Sequence, residues 1–175
     1  MRRPVDADRV RAFMRALGLA ARSEHTVYLV GGATAVLEGW RESTIDIDVA
    51  FPDRAGPDEL LRALPRIKDE LELNVELASP ADFVPVPTGW EDRSPSITQE
   101  GSVRFLHYDL YAQALSKLER GHDRDLLDVD AMRSRGLIEP ERLRELFAEI
   151  EPELYRYPAI DPPSFRRRVE AAAGS

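Results

Sequence analysis

Along the first half of the chain the apolar residues change period several times, and each change marks an element. Val10, Phe13, Met14 and Leu17 stand at i, i+3, i+4 and i+7, which predicts an amphipathic helix over about residues 6–22. The run Thr26–Val30 reads as a short buried strand that leads into Gly31-Gly32, after which Ala33, Val36, Leu37 and Trp40 return to helical spacing. Ile45, Ile47, Val49 and Phe51 then alternate with Asp46, Asp48 and Ala50. That is the period of a strand with two unlike faces, and it puts both aspartates on the same face. Leu60, Leu64, Ile67 and Leu71 predict another helix. Leu73, Val75 and Leu77 alternate with Asn74 and Glu76, so a third acidic side chain is expected on a strand.

The pattern is different farther on. "SPADFVPVPTGWEDRSPS" is rich in proline and turn formers and predicts a long ordered loop, pinned by Phe83 and Trp90. A short strand is expected near "SVRFLHY". From Asp109 the chain reads as helical: one helix through about Leu118, a second over "DRDLLDVDAMRSR", and a third carrying Leu143, Leu146, Phe147 and Ile150. "EPELYRYPAIDPP" is a proline-broken connector before a last helix bearing Arg166, Arg167 and Arg168. The expected class is α+β, a mixed sheet flanked by helices in about residues 1–108 and a helical part in about residues 109–175, together one domain.

Composition narrows the chemistry. With 175 residues, 43% hydrophobic and 32% charged, the chain matches an ordinary globular protein with a sizeable core. It has no cysteine, so a disulfide framework and a thiolate zinc site are both excluded, and a reducing cytoplasm is the expected home. No apolar run approaches the length of a bilayer span, and "MRRPVDADRVRAFM" lacks the apolar segment of a secretion signal, so no membrane association is expected. A net charge of -8 opposes nonspecific binding to polyanions, though it leaves room for a local basic patch.

The in-phase aspartates are the first chemical clue. Carboxylates on one strand face repel, and desolvating them without partners costs on the order of several kcal/mol each. Asp46 and Asp48 therefore either lie on a solvated edge strand or meet something positive. A divalent cation is an economical partner, because Mg²⁺ takes hard oxygen ligands and is commonly shared between one or two carboxylates and substrate phosphates. The glycines favour that second reading. Gly31-Gly32 opens a helix, where glycine lets backbone N–H groups come close to a phosphate.

With these residues in this order, "GGATAVLEGWRESTIDIDVAF" resembles the signature of the polymerase-beta-type nucleotidyltransferase superfamily, in which a glycine pair opening a helix is followed by D-x-D on the next strand. The resemblance is nearest to the minimal bacterial nucleotidyltransferases associated with toxin–antitoxin and phage-defence operons, and it covers about residues 25–135. It implies a nucleotidyltransferase-like sheet in which Gly31 and Gly32 hold phosphates while Asp46 and Asp48 bind one or two Mg²⁺ ions. It also implies a third carboxylate that ligates metal and helps to activate the acceptor. Glu76 fits by strand phase, with Asp82 as the runner-up. The later segment "KLERGHDRDLLDV" resembles the second half of toxin-type members. There Lys117 and Arg120 would neutralise triphosphate oxygens, and Asp125, with Asp128 one turn on, would orient Lys117 or Arg124 from the nucleotide-binding side.

The implied activity is Mg²⁺-dependent transfer of a nucleoside monophosphate from a triphosphate such as ATP to a hydroxyl acceptor, with release of pyrophosphate. The acceptor is a tRNA 3′ end or a protein side chain, and the implied partner is a protein of the same operon. The alternative is a catalytically silent version of the fold acting as an antitoxin or nucleotide sensor. Other conspicuous residues have plainer expectations. His25, His107 and His122 read as structural polar groups, Trp40, Trp90, Tyr155 and Tyr157 as cover for cores and loops, and the arginine triplet as a solvated helix.

Overall fold

A computed structural model describes residues 3–174. The chain divides into two compact units, one formed by residues up to Ser79 together with Pro95–Tyr108, the other by Pro80–Ser94 together with the chain from Asp109 onward. The expected change of character near residue 108 coincides with one of these boundaries. No described helix is long and apolar enough to cross a membrane.

In the first unit, helix α1 (Ala7–Ala20) begins where the Asp6 carboxylate accepts from the Arg9 N–H at 2.9 Å. It is followed by strand β1 (His25–Val30), helix α2 (Gly32–Leu37), strand β2 (Asp46–Ala50), helix α3 (Asp58–Glu70), strand β3 (Asn74–Leu77), and the hairpin of β4 (Ser96–Glu100) and β5 (Val103–His107). The strands lie in the order β3-β2-β1-β5-β4. β1 runs antiparallel to β2 and parallel to β5, β2 runs parallel to β3, and β4 runs antiparallel to β5.

Alternation along the strands gives this sheet two unlike faces. Val27, Leu29, Ile47, Val49, Val75 and Phe105 join Val10, Phe13 and Leu17 of α1 and Leu60 and Ile67 of α3 in one buried cluster. The residues between them point the other way, so Val30, Asp46, Asp48, Asn74 and Glu76 share the second face.

The second unit contains the 3-10 turn Pro80–Asp82 and helices α4 (Leu110–Arg120), α5 (Asp123–Ser134), α6 (Pro140–Ile150) and α7 (Pro162–Gly174). α4 is buried along nearly its whole length. It starts at Asp109, whose carboxylate accepts from the Tyr111 N–H, and stops at Gly121 in the left-handed conformation. Phe147 and Phe165 meet edge to face, 4.9 Å between centroids, and tie α6 to α7.

Several expectations need correction. β4 lies between the expected loop and the strand expected near residues 102–108, and no element is expected there: Ser96, Gln99 and their neighbours lack the alternation of a buried strand, and an edge strand with a bulge between Ser96 and Thr98 does not produce one. Phe83 does not pin the long loop, being 44% exposed; the fully buried Val84 does so, with Pro85 and Pro87. α2 ends at Leu37, short of Trp40. Ile45 and Leu77 have the right strand phase but are exposed, because they sit at strand ends beyond the reach of the core. The arginine triplet is not simply solvated. Arg168 donates to the carbonyls of Leu118 and Glu119, the last turn of α4, and Arg166 pairs with Glu151.

Candidate active site at the glycine turn and the acidic strands

The two glycines are needed for different reasons. Gly31 has φ 59° and ψ -119°, a backbone state that strongly favours glycine, and it forms the turn from β1 into α2. A Cβ on Gly31 would stand 3.2 Å from Asp48 Oδ2, so the carboxylate lies directly against this turn. Gly32 is required by packing. A Cβ there would stand 2.1 Å from Thr44 Oγ1, and Thr44 is fixed by a two-way backbone bridge to Val5 at 2.8 and 2.9 Å.

The short helix behind the turn is anchored from β5. His107, buried and abreast of Leu29, has Nδ1 3.0 Å from Thr34 Oγ1 and Nε2 3.0 Å from Glu38 Oε1. Burial pulls the His107 pKa below its ordinary value, and the Glu38 carboxylate opposes the shift. The Thr34 hydroxyl donates to the Leu29 carbonyl at 3.2 Å, so the ring, the hydroxyl and the end of β1 form one buried polar network. His107 thus has the structural polar role expected of it, and that role is to hold the helix the glycines open.

Register brings the acidic residues together. Val30 pairs with Asp48, which puts Asp48 beside the last residue of β1 and hence beside Gly31. On the other side of β2, Asp46 pairs with Asn74 and Asp48 with Glu76. Asn74 Nδ2 donates to Asp46 Oδ1 at 2.6 Å and to Glu76 Oε1 at 2.9 Å. Asp46, Asp48 and Asn74 are half-buried, and Glu76 is exposed. Asp82, the other candidate third acid, lies in the 3-10 turn of the second unit, whereas Glu76 is in register with Asp48.

The donor set on this face is all oxygen and all acidic. Among the described residues no three His, Asp or Glu side chains close into a group that holds a metal by itself. Asn74 bridges Asp46 and Glu76, while Asp48, two residues from Asp46 on the same strand face, lies against the glycine turn. Such a pair suits Mg²⁺, which keeps waters and completes its shell with substrate phosphates.

Lys117, Arg120 and Asp125 come together within the second unit. Lys117 Nζ lies 2.6 Å from Asp128 Oδ2 and 3.5 Å from Asp125 Oδ1, with all three side chains less than 10% exposed. Arg120 grips Asp125 with two nitrogens at 2.7 and 3.2 Å, stacks its guanidinium 5.9 Å from the Phe83 ring, and remains 38% exposed. Of the two partners open to the aspartates on α5, Lys117 is one that both engage.

Two further anchors lie away from the glycine turn, one at Arg93, which carried no expectation, and one at His25, which has the structural polar role expected of it. Arg93 donates through Nε and Nη2 to Asp109 Oδ2 at 3.0 and 2.7 Å and through Nη1 to the Thr88 carbonyl at 2.7 Å, which locks the long loop to the start of α4. Burial raises the Asp109 pKa and Arg93 opposes that rise. His25 Nε2 lies 2.8 Å from Glu59 Oε2, and this contact, helped by Ser23 and the Arg22 N–H, lowers the Glu59 pKa to about 2. Neither could be read from spacing, since each joins residues far apart in the chain or in a segment without period.

A mixed sheet whose glycine turn meets an acidic strand pair is the layout of a nucleotidyltransferase core. The chain belongs to the family described as "Nucleotidyltransferase of unknown function (DUF6036)", whose model matches residues 8–160. No curated protein and no solved structure matches it.

Proposed function

We propose that this nucleotidyltransferase uses Mg²⁺ to move a nucleoside monophosphate from a triphosphate to a hydroxyl acceptor. The observation that carries the proposal is the approach of Asp48 to Gly31, 3.2 Å from the site of a Cβ, which brings a metal-type carboxylate and a phosphate-type turn to one point. In this reading Gly31 and Gly32 receive the triphosphate, because a turn without side chains admits the phosphate oxygens to backbone N–H groups. Asp46 and Asp48 hold Mg²⁺, which when bound supplies Lewis-acid stabilisation of the phosphoryl oxygens. Glu76, the exposed acid, accepts the proton of the acceptor hydroxyl. The hydroxyl oxygen forms a bond to the α-phosphorus, the bond from that phosphorus to the β-phosphate oxygen breaks, and pyrophosphate leaves with the bonding pair.

The acceptor is a tRNA 3′ end or a protein side chain, and a protein of the same operon is the proposed partner. Incubating the full chain with labelled triphosphates, Mg²⁺ and cell extract is expected to label an acceptor, and Asp46→Ala and Asp48→Ala are expected to abolish the label. Equal labelling by those variants defeats the proposal. One observation favours a silent sensor or antitoxin instead: Glu76 is tied to Asn74 and does not converge with the aspartates into a three-acid group. That reading predicts triphosphate binding by calorimetry with no pyrophosphate released.

A further inference from the structure

We infer that Asn74 is a positioning residue for the metal carboxylates, an uncharged spacer that sets Asp46 and Glu76 before any cation arrives. The inference rests on the reading of Asp46 and Asp48 as Mg²⁺ ligands. One amide nitrogen serves both acids, with Asp46 Oδ1 at 2.6 Å on the neighbouring strand and Glu76 Oε1 at 2.9 Å two residues along its own. Ionised carboxylates only accept hydrogen bonds, so the amide must turn its nitrogen towards them, and both of its hydrogens are then committed. The parallel register that pairs Asp46 with Asn74 and Asp48 with Glu76 fixes this arrangement, because it stacks the four side chains in two rows on one face.

The choice of an amide has a physical reason. Carboxylates that share one sheet face repel each other, and donors are needed to hold them there. A lysine or arginine would supply donors, but its positive charge would take the place of the divalent cation. Asparagine supplies two donors and no net charge, so it orients Asp46 and Glu76 without itself competing with a metal. Outer-shell partners of this kind are commonly worth ten- to a hundredfold in metal affinity.

The test uses the full chain and Mn²⁺ as a spectroscopic stand-in for Mg²⁺, with free Mn²⁺ followed by paramagnetic resonance and melting temperature followed in EDTA. Asn74→Ala is expected to weaken Mn²⁺ binding about tenfold. Asn74→Lys is expected to abolish it while melting in EDTA no lower than wild type, because the ammonium satisfies the same carboxylates. An Asn74→Ala protein that melts lower but binds Mn²⁺ like wild type reveals a merely structural role and overturns the inference while leaving the metal reading intact. If Asn74→Ala does not fold, Asn74→Lys decides alone, and undiminished Mn²⁺ binding by that variant overturns the inference. Wild-type protein that binds no Mn²⁺ removes the metal reading and this inference with it.

Discussion

Two aspartate pairs look alike as text and differ in the folded chain. Asp46 and Asp48, two apart on β2, share a half-buried sheet face whose named donor is the Asn74 amide. Asp125 and Asp128, three apart on α5, are buried against Lys117, with Arg120 completing the cluster. The helical pair is met by cations of its own chain, Lys117 and Arg120 of α4. On the strand, the Asn74 amide donates to Asp46, and Asp48 lies against a turn stripped of side chains.

The sharpest way to break this contrast is to remove each pair in turn. Asp48→Ala is expected to reduce nucleotidyl transfer by roughly a hundred- to a thousandfold, the scale of losing one group that stabilises transition-state charge. Its melting temperature is expected to change less than that of Lys117→Ala. Lys117→Ala should do the reverse. It leaves Asp128 buried without its nearest cation and is expected to cost about 3–5 kcal/mol in chemical denaturation. A Lys117→Ala protein as stable as wild type would show that the helical cluster is not structural.

Gly31→Ala sharpens the strand side. A non-glycine residue at φ 59° is strained by about 1–2 kcal/mol, and the new methyl meets Asp48 Oδ2 at 3.2 Å. Triphosphate affinity measured by calorimetry is expected to fall further than stability measured by denaturation.

The smallest effect comes from an ion pair at the other end of β1. Hydrogen bonding from His25 lowers the Glu59 pKa from 4.5 to about 2. A carboxylate whose folded pKa is depressed adds stability that is fully present above its unfolded pKa and is lost as pH falls through the folded one. The stability difference between wild type and Glu59→Gln should therefore be constant above about pH 4.5 and shrink as pH falls towards 2, an outcome that acid-limb denaturation curves can check.

Periodicity made most elements legible. α1, expected over about 6–22, runs Ala7–Ala20, and β2 and β3 lie where alternation put them, with Asp46, Asp48 and Glu76 in the expected phase. β4 was not legible and Phe83 does not have its expected role, because an edge strand and an exposed aromatic carry no period that reports burial. Asn74 was legible only as a face-mate of Glu76; its service to Asp46 depends on β3 lying parallel to β2 in one register.

By itself, the sequence determined which residues are apolar in phase, where the glycines interrupt them, and which acids share a strand face, because these are local properties of a chain with fixed helical and strand repeats. Only the tertiary structure decided that Asp48 rests against Gly31, that Lys117 is enclosed by Asp125 and Asp128, and that one amide spans two strands. Those contacts follow from strand order and helix packing, which join residues distant in sequence through the burial of a shared core and leave no local repeat to read.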